Sequence, residues 1–471
     1  MEHRAARNGV PCLAGVRPAA AIKLDSEGPR RAIYDLGYEG KKTAAPAAAP
    51  TGCQDSLLPN RVDRRPRRYR TPSTQTSHLE WRDRSRRVRR DPIMRQRATA
   101  CAISEMVKIP RVRVAVLLPG ILGSSLYYDH SGQRHYIWRE DFATNYQTLI
   151  SNPAVLRWTG RAAKGDLIET VSVTPLHLPI HKLWDQVLRS LARHPDFSDP
   201  RAILEMGYDW RRSLIDSGTE LLPAIDAHLS ERFPETPSSD IQLTFVTHSM
   251  GGLLVRAAVG AGSLPAMRVD RVVHIGSPLQ GAPDAFRAAY EGCRLPFLRG
   301  LSMRMPRRNG AAFWDILKSS IQTFPSIYQL MPFPGNDFLS YAPSSRFNPF
   351  DPSHKGSLPA HHFSAATKFH TLMSQADTVI RTESVPVYTI MTERHARRRT
   401  DAAYLVKGTV GVTPGYEIVD VISTTTLGDG TVLADSARGD PSTSSAMPVV
   451  GVMHVDMCRN KRVAALLSLV I

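Results

Sequence analysis

Residues 241–261 constrain the fold more than any other stretch of this chain. A β-branched, apolar run, Ile241 to Val246, leads into Thr247-His248-Ser249-Met250-Gly251-Gly252, and a helix-compatible run, Leu253 to Ala261, leads out. Strand, tight small-residue turn and helix in that order are the context of a nucleophile elbow, a strained turn that exposes a serine hydroxyl. The turn folds back on itself, so bulky side chains at 247 and 251 would collide with neighbouring backbone; the usual pattern is G-x-S-x-G. Gly251 fits it and Thr247 departs from it. Five residues alone do not establish catalysis, because an ordinary strand–turn–helix carries such a pattern by chance.

The surrounding periodicity points to an α/β fold. Val112–Leu118 (VRVAVLL) is a near-continuous apolar run of the kind found in strands buried on both faces of a parallel sheet. Ile241–Val246, Arg271–Ile275 and Val385–Met391 are further core strands, and Tyr416–Ile422 is another candidate. His181–His194 and Gly218–Phe233 are amphipathic helix candidates, and a short helix, Lys461–Leu469, closes the chain. Strands alternating with helices predict a mostly parallel sheet flanked by helices. Residues 284–380 break the alternation and are rich in Pro, Phe, Met and Tyr, which predicts a cap inserted over a site, with packing on the domain as the plainer reading.

Net charge looks like a nucleic-acid signal until it is divided. The 471 residues carry +17, yet residues 1–108 hold 23 Lys+Arg against 11 Asp+Glu, and the remainder 37 against 32. The basicity belongs to 1–108, expected to be a poorly structured, low-complexity segment ahead of a domain at 109–471, for which nucleic acid is not an expected partner. Fourteen arginines lie between Arg61 and Arg97, with Tyr69 and Trp81 interleaved. They suit a tail for an anionic membrane or nucleic acid, or else a solvated tail, or sequence upstream of a later start at Met94 or Met106. Five scattered cysteines (Cys12, Cys53, Cys101, Cys293, Cys458) make no disulfide framework, and neither a spanning apolar segment nor a clean signal core is seen. A cytoplasmic protein, with peripheral association with a membrane as the second option, is the expectation.

Serine attack needs a base, an acid to orient it, and donors for the oxyanion. In α/β-hydrolases the acid and base follow the serine in the order Ser, Asp, His. Gly428-Asp429-Gly430 offers a glycine-flanked carboxylate, with Asp435 and Asp456 as competitors or a plain Asp-Gly turn as the alternative. Twenty-five residues on, the apolar run Val449–Met453 ends in His454. His248, inside the elbow, points away from the nucleophile in that geometry and is not assigned as base. His177 and His181 lack a glutamate beside the first histidine, and His361-His362 lie in a loop-like stretch, so no metal or other cofactor is expected. The oxyanion donors should be the Met250 amide and one from Pro119-Gly120-Ile121-Leu122-Gly123-Ser124-Ser125, with Ile121 the choice.

Six elements in order resemble the lecithin:cholesterol acyltransferase family, which includes lysosomal phospholipase A2 and phospholipid:diacylglycerol acyltransferases. They are Leu118–Ser124, Tyr208-Asp209-Trp210-Arg211, Thr247–Gly252, Ile275–Ala282, Gly428–Val432 and Met453–Met457. The resemblance implies an α/β-hydrolase fold with Ser249, Asp429 and His454 as triad and a cap governing lipid entry. It implies an acyl-enzyme drawn from a lipid ester and passed to water or an alcohol. It also places Trp210 near the acyl site, where Leu122 joins it as an expected substrate contact. Thr247, the lack of secretory disulfides and the basic N-terminal segment depart from the family pattern. A soluble esterase on small substrates, or an idle hydrolase domain with an anionic-surface tail, are the alternatives.

Overall fold

The computed structural model describes residues 112–173, 178–291, 310–336, 338–341, 345–351, 358–394, 403–409, 415–421 and 427–471. All belong to the second of two compact units, Arg90–Ile471. The Arg61–Arg97 run, His177, four of the five cysteines and parts of 284–380 lie outside the described residues.

Six strands form the central sheet, in the spatial order Ser445–Val450, Val387–Arg394, Val269–Ile275, Gln242–His248, Arg113–Leu118 and Ile203–Glu205. Every neighbouring pair is parallel, with Leu117 beside Val246, Val246 beside Val273, and Val273 beside Tyr388. The apolar runs explain this. Val114 to Leu118 and Leu243 to Val246 are buried on both faces, as strands covered by helices on each side must be. The connection from Gln242–His248 to its neighbour runs through the helix Met250–Gly260, which is buried from Met250 to Val259. This is the α/β-hydrolase arrangement, a parallel sheet flanked by helices.

Two details differ from the sequence expectation. Residues 178–182 are a strand paired antiparallel with Thr170–Val173, and the helix starts only at Asp185; cross-strand pairing overrides the helical periodicity from His181. The strand near Tyr416, Gly415–Val421, belongs to a separate four-stranded sheet, paired antiparallel with Ala403–Thr409. The described parts of residues 284–380 are chiefly helical. Helix Ala360–Thr382 packs on the elbow helix, where Arg256 pairs with Asp377 and its Nη2 donates to the Met373 carbonyl at 3.4 Å. Helices Pro283–Glu291, Gly310–Ile321 and Pro325–Gln329 precede it.

Candidate active site

The elbow strand ends at His248 and the helix begins at Met250, leaving Ser249 at φ 54°, ψ −126°. A non-glycine residue at that φ is held by its surroundings. A methyl group at Gly251 would stand 2.5 Å from the Leu118 carbonyl oxygen, so the turn cannot close around a larger residue there. At 247 the expected glycine is replaced without collision. Thr247 is buried, and its hydroxyl is hydrogen-bonded to His274 Nδ1 of the adjacent strand at 2.9 Å.

The three residues expected as acid, base and nucleophile meet. Ser249 Oγ donates to His454 Nε2 at 2.9 Å, and His454 Nδ1 donates to Asp429 Oδ2 at 2.7 Å. A carboxylate can only accept, so the imidazole carries its proton on Nδ1 and leaves Nε2 free to accept. The other carboxylate oxygen accepts from the amides of Val432 (2.7 Å) and Thr431 (3.0 Å), and the His454 amide donates to the Asp429 carbonyl at 3.0 Å. All three residues are buried. The competitors differ: Asp435 pairs with Arg438 and Asp456 with Arg459.

The loop after the first strand lies against Ser249. A methyl group at Gly120 would come 2.6 Å from Ser249 Cβ, so only glycine permits this approach. Gly123 N–H donates to the Gly120 carbonyl at 3.1 Å, closing a turn in which Leu122 has φ +65°. Ile121 and Leu122 line the cavity above Ser249. Met250 opens the elbow helix, so its amide belongs to the first turn, where N–H groups have no intrahelical partner.

That cavity has a volume of about 300 Å³ and is largely apolar. Its floor is Ser249, His454, His248 and Gly120; its wall includes Trp138, Val171, Leu183, Trp184, Ala285 and Leu330. Trp210, expected near the acyl site, does not line it. Its ring stands edge-on to Trp138 at 6.0 Å and to Phe324 at 5.8 Å, on the far side of Trp138. Trp210 instead braces the loop: its Nε1 donates to the Ser124 carbonyl at 3.1 Å. Tyr208 Oη donates to the Pro119 carbonyl at 2.9 Å, and Trp138 Nε1 to that of Leu122 at 3.1 Å. The buried Asp209–Arg211 pair (2.7 Å) fixes the element that carries Tyr208 and Trp210. Trp138 and Trp184, which form part of the wall, were invisible in the sequence because no local pattern marks them.

His248 does not face the serine hydroxyl. Its Nε2 contacts the His454 carbonyl at 3.1 Å, its ring lies 4.7 Å from the His454 ring, and Trp184 stands edge-on to it. Burial, helped by the nearby His454, pushes its pKa down to about 3. Burial and then Arg256 do the same to His274, also to about 3.

A parallel sheet flanked by helices, with a serine on a strained turn at the C-terminal end of an interior strand and bonded to a histidine that in turn bonds an aspartate, is the arrangement of the α/β-hydrolase class. The family model of lecithin:cholesterol acyltransferase matches residues 144–405, more than half of the chain. The chain belongs to that family, and with it to the acyl-ester hydrolases and acyltransferases. The match takes in Tyr208–Arg211 and Ser249 and ends before Asp429 and His454. No curated protein matches the chain. Among solved structures it is similar to one from the Tle4–Tli4 complex, at 13% identity over 76% of this chain and 98% of that one, with a TM-score of 0.46. It is similar to the Bacillus licheniformis lipase BlEst2 in mature form (11% identity, 77% and 93% covered, TM-score 0.31). It is also similar to the metagenomic carboxyl esterase MGS0156 (17%, 77% and 75%, TM-score 0.28).

Proposed function

We propose that the protein transfers the acyl group of a lipid ester through a Ser249 acyl-enzyme to water or an alcohol. The observation that carries this is the continuous Ser249–His454–Asp429 chain on the floor of a largely apolar cavity. His454 Nε2 takes the hydroxyl proton as Oγ attacks the ester carbonyl; Asp429 holds the tautomer and stabilises the imidazolium. The tetrahedral oxyanion falls to the amides of Met250 and Ile121, the former reinforced by the positive end of the elbow helix. His454 then gives the proton to the departing alkoxide, and the acceptor repeats the sequence in reverse. No residue in this scheme requires a metal. The wall of Trp138, Val171, Leu183 and Leu330 suits an acyl chain, and 300 Å³ is at the lower end of the range for small-molecule sites.

A lipid substrate makes the enzyme peripheral to a membrane at least transiently; among the described residues no helix is long and apolar enough to cross one. The test is incubation with labelled phospholipid, with and without a long-chain alcohol or sterol. Free labelled fatty acid alone indicates a hydrolase, labelled ester of the added alcohol a transferase, and neither contradicts the reading. A chain-length series of p-nitrophenyl esters separates the alternative, since a small-substrate esterase peaks at acetate.

A further inference from the structure

We infer that His248 is a positioning residue, whose Nε2–H clamps the carbonyl of His454 and so holds the base in register with the nucleophile beside it in the chain. The inference rests on the acyl chemistry proposed above. A carbonyl oxygen only accepts, so the 3.1 Å contact requires the His248 proton on Nε2. That nitrogen is therefore occupied and cannot also serve the serine.

What the clamp adds follows from the other bonds in the site. The acid and base segments are already tied to each other twice, through His454 N–H to the Asp429 carbonyl and through Nδ1 to the carboxylate. The acid–base unit meets the nucleophile through the Ser249–His454 bond, along which the proton moves and which is given up when Nε2–H turns to the departing alkoxide. His248 precedes Ser249 directly, so its bond to His454 ties the base backbone to the nucleophile backbone and persists while the reactive bond is exchanged. Small misplacements of a catalytic group cost rate steeply, which gives the clamp its value. Trp184 fixes the ring edge-on from one side, and the His454 ring lies across the other at an interplanar angle of 36°. Burial keeps His248 uncharged, so the imidazolium formed on His454 meets no like charge across that 4.7 Å gap.

Two substitutions separate the donor from the ring. His248→Gln places an amide nitrogen at the same reach from the backbone without the ring; His248→Phe keeps a ring and removes the donor. Both are assayed for kcat and KM on a p-nitrophenyl ester and for the rate at which a fluorophosphonate labels Ser249. Loss of one such bond predicts a fall of about ten-fold in kcat and in labelling rate for His248→Phe, with KM within about two-fold. His248→Gln should recover most of that loss, which a purely space-filling role would not give. If His248→Phe does not fold, His248→Met, of glutamine's length with no donor, takes its place. A donor-less variant at wild-type kcat overturns the inference, and so does His248→Gln as slow as the donor-less variant. Failure of the underlying reading shows separately, as Ser249→Ala that still turns over.

Discussion

On the floor of the cavity, Ser249, His454 and Asp429 are held by a chain of hydrogen bonds. Ser249 and His454 follow strands of the central sheet, and Asp429 is fixed by two amides and by the His454 backbone. The wall is built differently: Trp138, Val171, Leu183, Ala285 and Leu330 come from separate segments outside the sheet and meet as apolar side chains. Position is specified on the floor by directional bonds between the side chains, and on the wall chiefly by apolar packing, with the Trp138 indole also bonded to the Leu122 carbonyl. Substitutions on the floor should therefore act on kcat, and substitutions on the wall on the choice of acyl chain.

The sharpest way to break that contrast is Asp429→Asn. It keeps the shape of the floor and reverses the tautomer of His454, so kcat should fall by about 10⁴-fold with KM little changed. Steady-state kinetics check it, and a loss under about ten-fold would mean the floor does not work through Asp429. Next is Trp210→Phe, behind the wall. Removing its bond to the Ser124 carbonyl leaves a buried acceptor unpaired, for a loss of about 2 kcal/mol in denaturant unfolding. Acyl-chain preference should stay as it was, because Trp210 does not reach the cavity; a changed preference would return it to the substrate site.

Val171→Trp tests the wall itself. Filling the cavity from the hairpin should slow turnover of long-chain esters by about ten-fold relative to acetate, a discrimination of the size hydrophobic pockets achieve. Equal slowing of both would place Val171 outside the acyl path.

Acid stability spans floor and surroundings, and its effect at any pH near neutrality is the smallest of the set. Burial is the main cause holding His248 and His274 at about 3 and His362 and His370 at about 4, against an ordinary 6.5. The native state refuses protons that the unfolded chain accepts, so stability is present above about 6.5 and lost as pH falls toward 3–4. Glu205, raised to about 7 by burial and by Glu169, acts in the opposite sense, its contribution lost as pH rises from 4.5 through 7. His370 sits among Phe333, Phe350 and Phe369, so His370→Phe should fold and should lower the slope of unfolding free energy between pH 4 and 6.5 by one proton, about 1.4 kcal/mol per pH unit. An unchanged slope in pH-dependent denaturation would show that His370 is not held neutral.

The same contrast governs what the sequence reveals. Ser249, Asp429 and His454 were legible because each follows a local pattern: an apolar run into a small-residue turn, a glycine-flanked carboxylate, an apolar run ending in histidine. The parallel sheet was legible from apolar runs such as Val112–Leu118. The family resemblance, not the residues themselves, put Trp210 near the acyl site; its indole stands against Trp138 and Phe324 and bonds the Ser124 carbonyl. Trp138, Val171 and Leu183 carried no signal, since only tertiary folding brings their segments together. The 178–182 strand was missed because pairing with 170–173 outweighs helical periodicity. Thr247 looked like a defect in the elbow and proves to be paired with His274.

The most direct test of the account is to trap the acyl-enzyme. The protein is mixed rapidly with a slowly deacylating long-chain ester, quenched in acid, digested and analysed by mass spectrometry. The acyl mass should appear on the peptide containing Ser249, and Ser249→Ala should show neither adduct nor turnover. An adduct on another residue, or undiminished turnover in Ser249→Ala, would contradict it.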